Sequence, residues 1–590
     1  MLNYIKYTIL FFLLLLGILL NNYTSLHVTD IERKDSKGNI KKISLPFFEY
    51  SEEQGKYIFT GKIYCAKVSQ KKIKIIPDAG VEYIMINGRK VSFDNIDIRS
   101  LSDNQKGFDI DIEPYIHKGE NNFEIKIYSY AGFASLKINN SFRDRLYMFL
   151  NLLIIVLSAL LFYYLLQSLK FDRITVIIMV CSLIVNLIYL INTSYIERNY
   201  DVEGHLKYIQ YIEEHYSLPK PDSGWENFQP PLYYITGAIV YKLAKITGLP
   251  ETRALQVLSL IYFHIFLIFG IFVFKRIKFF YEESKYLYYP AAALLVFWPS
   301  GIINSIRITN DIMYYMFYTA GLYFFIKWHD EKIDKFLYTA AICTFLGTIT
   351  KFNCVFLGAV IGISLIYKLI KEKNKKKYVK NIIIISIIIS CGILLIFLRN
   401  YSHATYNNEW ISMSVNGLDA WLSVENKANN YLYFDTKNFI NEPFTNSRDD
   451  SKGRQFFWNY LFKTGLFGEF SFPSDLHQNL GSVISFLFLI MLFFFITGYL
   501  TAGKPLIQNS GILLLNIFVL ILSVFSYRVK YPFSCNGDFR FIYPLLITFI
   551  PLCIYSISMC KEKIILLYTG YIITCLFIIS TILFFITLWK

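Results

Sequence analysis

The stretch KEKNKKKYVKNIIIISIIISCGILLIFL, residues Lys371–Leu398, decides the fold, because a lysine-rich loop passes directly into an uncharged apolar run. The run 380–398 has the length that a helix needs to cross a bilayer, roughly 17–25 residues. Similar runs recur through the 590 residues, which are 54% hydrophobic and 18% aromatic. Only 17% of the residues are charged, against about a quarter in a typical soluble domain. The sequence therefore excludes an ordinary soluble protein and predicts a polytopic membrane protein.

Thirteen membrane-spanning helices are predicted, so the fold class is mainly α. The first lies within residues 1–22 and is interpreted as an uncleaved anchor, since no small-residue cleavage site follows it. The other twelve are predicted at 145–166, 174–192, 254–274, 286–303, 311–327, 336–350, 352–370, 380–398, 481–500, 509–526, 541–558 and 563–588.

Residues 23–143 have the composition of a soluble domain. Short alternating runs, such as Lys72–Ile76 and Phe123–Tyr128, are separated by turn signals such as Asn87-Gly88. This pattern predicts an antiparallel β-sandwich outside the cytoplasm, similar in strand order to the jelly-roll modules that accompany glycan enzymes. The predicted organisation is an anchor at 1–22, a β-sandwich at 23–143 and a transmembrane domain at 144–590, with outer loops at 193–253 and 399–480.

The basic residues predict the orientation. With the N-terminus in the cytoplasm, the inner loops contain Lys170 and Arg173, Lys275 to Lys278, Lys371 to Lys380, and Lys561 and Lys563. This is the distribution that the positive-inside rule describes for a multi-pass protein of the cytoplasmic membrane. It accounts for the net charge of +15 without nucleic acid as a partner.

The apolar run Leu232–Ile246 is interpreted differently from the spans. It is short for a bilayer and carries Lys242 and Lys245. Counting it as a span would also move the lysine-rich loop to the outside. We therefore expect a helix on the outer membrane surface, where lysine side chains can reach water.

The segment RNYDVEGHLKYIQYIEEHYSLPKPDSGWENFQPPLYY, Arg198–Tyr234, follows a predicted span and is dense in polar groups for so apolar a chain. Asp201 and His205 are four residues apart, so a helix places both on one face. A carboxylate beside a histidine at the membrane boundary suits a general base that acts on a hydroxyl group. The alternative is an amphipathic helix whose charges only face water.

A resemblance to a known family starts from this segment. The pattern Asp201-x-x-x-His205, a short helix, Leu218-Pro219 and then Gln229-Pro-Pro-Leu-Tyr-Tyr resembles the first outer loop of GT-C glycosyltransferases. More narrowly, it resembles the protein O-mannosyltransferase and aminoarabinose-transferase group. Two positions depart from the family pattern, because Gln229 stands where the family has His and Val202 where it often has Glu.

Later segments follow in the family's order, so that the resemblance covers roughly residues 174–544. Trp298 to Asp311 resembles the second outer loop with its acidic residue. Leu346 to Lys351 resembles a glycine-then-lysine turn. Gly537 to Pro544 resembles the late Arg-Tyr-x-x-Pro motif, with Phe541 in place of Tyr.

The resemblance implies an enzyme that takes a sugar from a polyprenyl-phosphate donor. Asp201 maps onto the catalytic or metal-linked carboxylate, His205 would orient it, and Asp311 would pair with a cation or assist at the acceptor. The donor phosphate would be bound by Lys351 and Arg540, with Arg307 as a third candidate, because arginine offers phosphate a two-pronged contact and lysine a point charge. The alternative for these cations is to anchor the span ends at the membrane surface.

The long outer loop adds Phe456 to Glu469, which predicts an interfacial aromatic helix followed by a turn with a carboxylate. Glu469 could join Asp201 and His205 around a divalent cation, which would offset the charge of the leaving phosphate. No set of metal ligands has a diagnostic spacing, so a divalent metal is a candidate cofactor and no cofactor is certain.

The predicted function is a glycosyltransferase that moves a sugar from a polyprenyl-phosphate donor to a lipid, glycan or protein acceptor at the outer face of the cytoplasmic membrane. No nucleotide-binding motif is found in the sequence, in keeping with a reaction outside the cytoplasm. The alternatives are a polymerase or ligase of lipid-linked glycans, which would not need Asp201, a polyprenyl-glycan transporter, or a glycan-sensing scaffold that uses the β-domain.

Overall fold

The computed structural model describes residues 2–43, 45–51, 55–65, 71–77, 80–102, 107–129, 132–141, 143–199, 201–282, 285–401, 420–472, 474–502, 504–559 and 564–588. It divides into two compact units, Met1–Lys170 and Phe171–Trp589. The second predicted span therefore belongs to the first unit together with the anchor and the β-domain. The domain boundary at 143/144 stays a prediction.

The first unit contains helix α1, ten strands and helix α2. The helices are α1 (Leu2–Thr24) and α2 (Arg145–Ser168), which pack against each other. The strands are β1 (His27–Lys34), β2 (Ile40–Lys42), β3 (Phe47–Ser51), β4 (Gly55–Cys65), β5 (Lys72–Pro77), β6 (Gly80–Ile86), β7 (Arg89–Lys90), β8 (Phe108–Asp111), β9 (Gly119–Ser129) and β10 (Gly132–Asn140).

The strands form the predicted antiparallel β-sandwich. One sheet has the order β2-β1-β4-β9-β6-β7 and the other the order β3-β10-β5-β8. Alternate residues of β9, such as Phe123, Ile125 and Ile127, are buried in the core, as the period of a half-buried strand requires. Asn87 and Gly88 both have positive φ in the turn between β6 and β7, which is the conformation that a tight hairpin needs.

The second unit is helical. Its helices are α3 (Arg173–Asn192), α4 (Val202–His215), α5 (Leu232–Thr247), α6 (Glu251–Phe274), α7 (Lys278–Glu282), α8 (Lys285–Val296), α9 (Pro299–Asn304), α10 (Asp311–Glu331), α11 (Asp334–Thr348), α12 (Val355–Lys371), α13 (Lys375–Tyr401), α14 (Ala428–Leu432), α15 (Thr436–Asn441), α16 (Phe457–Phe467), α17 (Asp475–Ala502), α18 (Lys504–Lys530), α19 (Leu546–Ser558) and α20 (Ile564–Ile586).

Within the described residues, ten helical stretches are long and apolar enough to cross a membrane, so the chain is a multi-pass membrane protein. They correspond to ten of the thirteen predicted spans. The remaining three are present as helices that are shorter, broken or less apolar, namely α8 with α9, α10 and α11.

Two predicted spans differ from the structure. The run 286–303 is not one helix, because the chain leaves the helical conformation at Trp298, before Pro299 starts a new helix. The run 541–558 begins as a tighter 3-10 turn at Phe539–Leu545, and the α-helix starts only at Leu546, after Pro544. Hydropathy alone does not register either change.

The helix predicted from the aromatic residues after Phe456 forms, but the prediction that it lies at the membrane interface is wrong. This helix is α16, and its large side chains are buried, with Phe457, Tyr460 and Phe467 at most 1% exposed. The indole of Trp298 and the hydroxyl of Ser300 both donate to the carbonyl of Gly465 at 2.6 Å, which places α16 inside the unit. Part of the same predicted outer loop, 402–419, lies outside the described residues, as do Lys561 and Lys563.

The helical unit has two chemically different ends. At one end, Arg276 pairs with Glu331 at 2.7 Å and Lys377 pairs with Asp334 at 3.4 Å, which joins the ends of α6, α10, α11 and α13. The lysine-rich loop 371–380 lies at this end. At the opposite end, the backbone N–H of Leu232 donates to the carbonyl of Ile349 at 3.1 Å, so the start of α5 meets the end of α11. The candidate site lies there. The position of α5 on the membrane surface stays a prediction.

Candidate functional site

The polar residues that build the site come from six segments that are far apart in the sequence. The polar residues lie before α4, in the turn before α5, between α9 and α10, after α11, after α16 and before α19. The structure brings together the predicted residues Asp201, His205, Asp311, Lys351, Arg307, Arg540 and Glu469 through shared contacts and electrostatic interactions.

Asp201 is the N-cap residue of α4 and adopts a left-handed backbone conformation, with φ of 63°. Such a conformation is uncommon for a residue other than glycine and is often found at functional sites. Its carboxylate accepts a hydrogen bond from the indole of Trp225 at 3.3 Å and lies 3.9 Å from the guanidinium of Arg540. The side chain is 32% exposed, so a substrate can reach it.

His205 lies one helical turn after Asp201, as predicted, but its ring makes other contacts. Nδ1 lies 2.8 Å from the hydroxyl of Tyr234, and the two rings stack. Burial lowers the pKa of His205 to about 3, against the opposing effect of the Asp201 charge, so the imidazole is neutral near pH 7. A neutral, buried ring suits a positioning role better than proton transfer to solvent.

Glu226 is a carboxyl group of the site that sequence reasoning missed. It is 6% exposed, and its Oε2 atom lies 4.0 Å from Nδ1 of His205 without a hydrogen-bond partner. Burial, and then the nearby charge of Asp201, raises the pKa of Glu226 to about 8. Gly204 makes room for this side chain, because a Cβ atom there would lie 2.7 Å from Cγ of Glu226.

Arg399, at the end of α13, holds the turn that carries Trp225 and Glu226. Its guanidinium donates to the backbone carbonyls of Gln229 at 2.9 Å, Asn227 at 2.5 Å and Pro219 at 3.3 Å. Three carbonyl acceptors from one turn fix its shape, because arginine presents its donors in a rigid plane. The polar segment that follows Asp201 is thereby attached to a membrane-spanning helix.

Asp311 and Lys351 form a buried ion pair. The ammonium group of Lys351 donates to Oδ1 of Asp311, and the hydroxyl of Thr309 donates to Oδ2 at 3.2 Å. The side chains are 1% and 9% exposed, respectively. Asp311 therefore pairs with a cation, as predicted, and that cation is Lys351. The carboxylate already neutralises much of the charge of Lys351.

Arg540 lies between two carboxylates. Its Nε atom is 3.3 Å from Asp538, and its Nη1 atom is 3.9 Å from Asp201. Asp538 also caps the turn by accepting from the backbone N–H of Arg540 at 2.9 Å. Arg540 is thus held close to the candidate base by a carboxylate that the sequence pattern did not single out.

Arg307 is buried in a different way. It is 5% exposed, and its Nη1 donates to the amide oxygen of Asn304 at 3.1 Å, while the ring of Phe470 lies 5.3 Å from its guanidinium carbon. It forms no ion pair with any carboxylate in the described chain, and its Nε has no hydrogen-bond partner. A buried cation with unused donors is costly unless an anion completes it.

A cavity joins the two arginines. It is lined by Asn304, Arg307, Thr464, Gly468, Glu469, Phe470, Asp538, Arg540 and Tyr543. Glu469 accepts a hydrogen bond from the hydroxyl of Tyr460 at its wall. Burial, and then the charge of Asp538, raises the pKa of Glu469 to about 7, so this carboxyl group is partly protonated near neutral pH. The cavity therefore contains two guanidinium groups together with two carboxyl groups, Asp538 and the partly protonated Glu469.

The predicted metal set lacks geometric support. Across the parts of the chain that the structure describes, no group of three or more His, Cys, Asp or Glu side chains is arranged to hold a metal ion. Asp201 contacts Trp225 and Arg540, His205 contacts Tyr234, and Glu469 contacts Tyr460. The metal site stays a prediction, and no step below depends on it.

The site residues that sequence reasoning missed have no distinctive sequence pattern. Trp225 and Glu226 lie between the two proline sites of a polar turn, where nothing in the pattern separates them from solvated residues. Asp538 lies within the Gly537–Pro544 motif but had no predicted role, and Asn304 and Phe470 had none either. Only their long-range contacts identify them.

Fold and site together define a multi-pass helical membrane protein with a polar, arginine-containing site at one end of its helical unit. No protein-family model matches the chain, and no curated protein sequence matches it. ArnT from Cupriavidus metallidurans in the apo state aligns with 65% of this chain and 76% of its own, at 10% identity and a TM-score of 0.32. The structure of ArnT from Cupriavidus metallidurans bound to undecaprenyl phosphate aligns with 65% and 77%, at 11% identity and a TM-score of 0.31. Similarity at this level establishes neither the fold nor the activity.

Proposed function

We propose that the protein is a GT-C-type glycosyltransferase that transfers a sugar from a polyprenyl-phosphate donor to an acceptor hydroxyl at the outer face of the cytoplasmic membrane. One observation carries the proposal: a carboxylate that solvent can reach, Asp201, lies 3.9 Å from Arg540, which shares a cavity with the unpaired guanidinium of Arg307. A base and an anion site are thus adjacent.

The reaction follows from this adjacency. The donor phosphate binds Arg307 and Arg540, which replace its hydration with charge-assisted hydrogen bonds. Asp201 takes the proton of the acceptor hydroxyl, and the acceptor oxygen forms a bond to the anomeric carbon. The bond from that carbon to the phosphate oxygen breaks, and polyprenyl phosphate leaves with the electron pair. Attack opposite the leaving group inverts the anomeric configuration.

The arginines act on the leaving group. Phosphate gains charge as the glycosidic bond breaks, and guanidinium donors positioned beforehand stabilise that charge without reorganising. Lys351 adds to the positive field behind them, although Asp311 neutralises it locally.

The proposed side of the membrane follows from the two ends of the helical unit. The site lies at the end opposite Lys275, Arg276 and the lysine-rich loop 371–380. If those basic residues face the cytoplasm, the site faces outward. Sugars there are supplied on lipid carriers, so a site without nucleotide-binding features is suited to that location.

Two rival functions predict other charge distributions. A transporter would place ionisable groups at mid-membrane along a path, whereas Asp311, Lys351 and Arg540 lie at helix ends. A polymerase or ligase of lipid-linked glycans would work through arginine and histidine without Asp201. The contact of Asp201 with Arg540 favours the transferase.

The test compares wild type with Asp201→Asn, purified in detergent and supplied with a panel of polyprenyl-phosphate sugars and membrane-extracted acceptors. The readout is free polyprenyl phosphate. We expect release by wild type and a loss of about 10²- to 10⁴-fold in the variant, with donor binding retained. Glu203→Gln is the matched control, since it removes a carboxylate from the exposed first turn of α4.

The outcomes separate the three functions. Loss of release in Asp201→Asn, with Glu203→Gln at the level of wild type, supports the transferase. Equal release by Asp201→Asn and wild type removes the carboxylate from the chemistry and favours the polymerase or ligase. Absence of release with every donor contradicts the proposal and leaves transport or a glycan-sensing scaffold.

A further inference from the structure

The end of the helical unit opposite the site contains a group of residues, the lysine–aromatic patch, where α10, α11 and α12 meet. Its members are Lys327, Trp328, Lys332, Lys335, Phe336 and Lys368. None of them takes part in the proposed reaction.

Two ammonium groups approach each aromatic ring of the patch. The Nζ atoms of Lys327 and Lys335 lie 4.0 and 5.0 Å from the ring centre of Phe336. Those of Lys332 and Lys368 lie 5.9 and 5.7 Å from the ring of Trp328. An aromatic ring attracts each cation, but two cations on one ring repel each other. An anion between them would remove this repulsion.

The nearby carboxylates are mostly engaged by other cations. Asp330 and Glu331 face Arg276, at 3.9 and 2.7 Å. Asp334 pairs with Lys377 at 3.4 Å and accepts from the indole of Trp328 at 3.2 Å.

Two other polar groups touch the lysines of the patch. The ammonium group of Lys332 donates to the carbonyl of His329, which supplies no full negative charge. Lys368 also contacts the ammonium group of Lys332, and Glu372, an exposed residue at the end of α12, attracts Lys368 as a further acid near the patch. The patch therefore has an excess of positive charge.

Exposed apolar side chains adjoin the lysines in the sequence. Ile333 follows Lys332 and is 45% exposed. On α12, Ile366, Tyr367 and Ile370 are 52%, 62% and 71% exposed, and their spacing places them on one stripe of the helix. Cations at a helix end beside a lipid-exposed stripe match both parts of a phospholipid, the charged headgroup and the acyl chains.

We propose that the lysine–aromatic patch binds an anionic phospholipid of the surrounding leaflet. Its phosphate lies between the ammonium groups of Lys332 and Lys368, and its acyl chains lie along the exposed stripe of α12. Basic residues at a membrane surface attract anionic lipids, and pairing with aromatic rings fixes the lysines in place. The proposal does not depend on the transferase activity.

The experiment measures lipid retained by the full chain. Wild type, Lys332→Gln/Lys368→Gln and the matched control Lys373→Gln/Lys376→Gln are purified in detergent, incubated with phosphatidylglycerol or phosphatidylcholine, and examined by native mass spectrometry. The control removes two exposed lysines of the adjoining basic loop that touch neither ring. Lys332→Arg/Lys368→Arg tests whether charge alone suffices and guards against misfolding.

We expect wild type and the control to retain phosphatidylglycerol over phosphatidylcholine, and Lys332→Gln/Lys368→Gln to bind phosphatidylglycerol at least about tenfold more weakly. The arginine variant should retain binding. Equal retention by the glutamine variant and wild type would overturn the proposal, as would an equal loss in the control, which would indicate diffuse attraction. Displacement of the lipid by millimolar inorganic phosphate would show that the ligand is free phosphate and would overturn the lipid as occupant.

Discussion

Lys351 and Arg307 are two buried cations of the same site, and they are held in opposite ways. Lys351 is buried and donates to the carboxylate of Asp311. Arg307 is 5% exposed, but its partners are the amide of Asn304 and a phenyl ring, and its Nε remains without an acceptor. Lys351 is paired directly with a carboxylate, whereas Arg307 has no carboxylate within ion-pair distance among the described residues.

The difference separates a structural cation from one that is available to a ligand. Burying an unpaired charge costs several kcal/mol of folding free energy. A protein that retains such a charge therefore uses it for a purpose other than stability, such as binding an anionic ligand. Sequence position does not distinguish the two residues, since each lies next to an apolar span. We therefore propose that Arg307 is the main phosphate-binding cation, that Arg540 assists from its position between Asp538 and Asp201, and that the Lys351–Asp311 pair has a mainly structural role.

The largest expected effect comes from breaking the paired cation. Lys351→Met leaves Asp311 buried and uncompensated, so we expect the free energy of unfolding to fall by about 3–5 kcal/mol. Thermal unfolding of the purified protein in detergent measures this. The double variant Lys351→Met/Asp311→Asn should regain most of the loss, because neither charge is then left alone. If the double variant is no more stable than the single one, the two residues do not act as a pair.

Removing Arg307 should have the opposite result: donor binding should weaken, whereas stability should not fall. Arg307→Gln deletes a buried charge that lacks a carboxylate, so stability should be unchanged or higher. The KM for the polyprenyl-phosphate donor should rise about 10- to 100-fold, the equivalent of a lost charge-assisted hydrogen bond of ~1.5–3 kcal/mol. Arg307→Lys keeps the charge without the planar contact and should fall between the two. An unchanged donor KM would place the phosphate elsewhere.

Much of this architecture could be predicted from the sequence, because its main signal is local. Uncharged runs specify helices by their length, and the alternation in β9 specifies a strand. The errors arose where a local signal has two explanations. Trp298-Pro299 lies within an apolar run, so a helix break has no hydropathy signature. The aromatic residues of α16 have the composition of a membrane belt, but contacts from Trp298 and Ser300 bury that helix.

The site was less accessible to sequence reasoning, because it depends on pairings across the chain. The motif order suggested Asp201, Asp311, Lys351 and Arg540, and their joint position at one end follows from alternating spans. Which cation each carboxylate meets does not follow, since Asp311 and Lys351 are 40 residues apart. Glu226 was missed because an isolated glutamate in a turn normally faces water, whereas here Gly204 leaves the space that buries it.

A smaller effect is expected from filling the space beside Gly204. Gly204→Ala would bring a Cβ atom within 2.7 Å of Cγ of Glu226 and 3.3 Å of the indole of Trp225, the donor to Asp201. Overpacking of this kind costs about 1–3 kcal/mol, of which the better helix propensity of alanine returns up to about 1. We expect a modest loss of stability and a larger fall in kcat than in donor affinity. Gly362→Ala, in open space on α12, is the control and should be neutral or stabilising.

The smallest effect is expected when the charge of a carboxyl group beside Arg307 changes with pH. Burial and the neighbouring charge of Asp538 raise the pKa of Glu469 to about 7, so this carboxyl group in the Arg307 cavity is neutral below that pH and negative above it. The donor carries a negative phosphodiester, so its KM should rise about three- to tenfold between pH 6 and pH 8 as Glu469 ionises. Glu469→Gln should keep a low KM across this range. His205, whose pKa burial lowers to about 3, does not titrate there, whereas Glu226, with a pKa near 8, does. A pH dependence that persists in Glu469→Gln and disappears in Glu226→Gln would therefore move the effect from the arginine cavity to the turn beside Asp201.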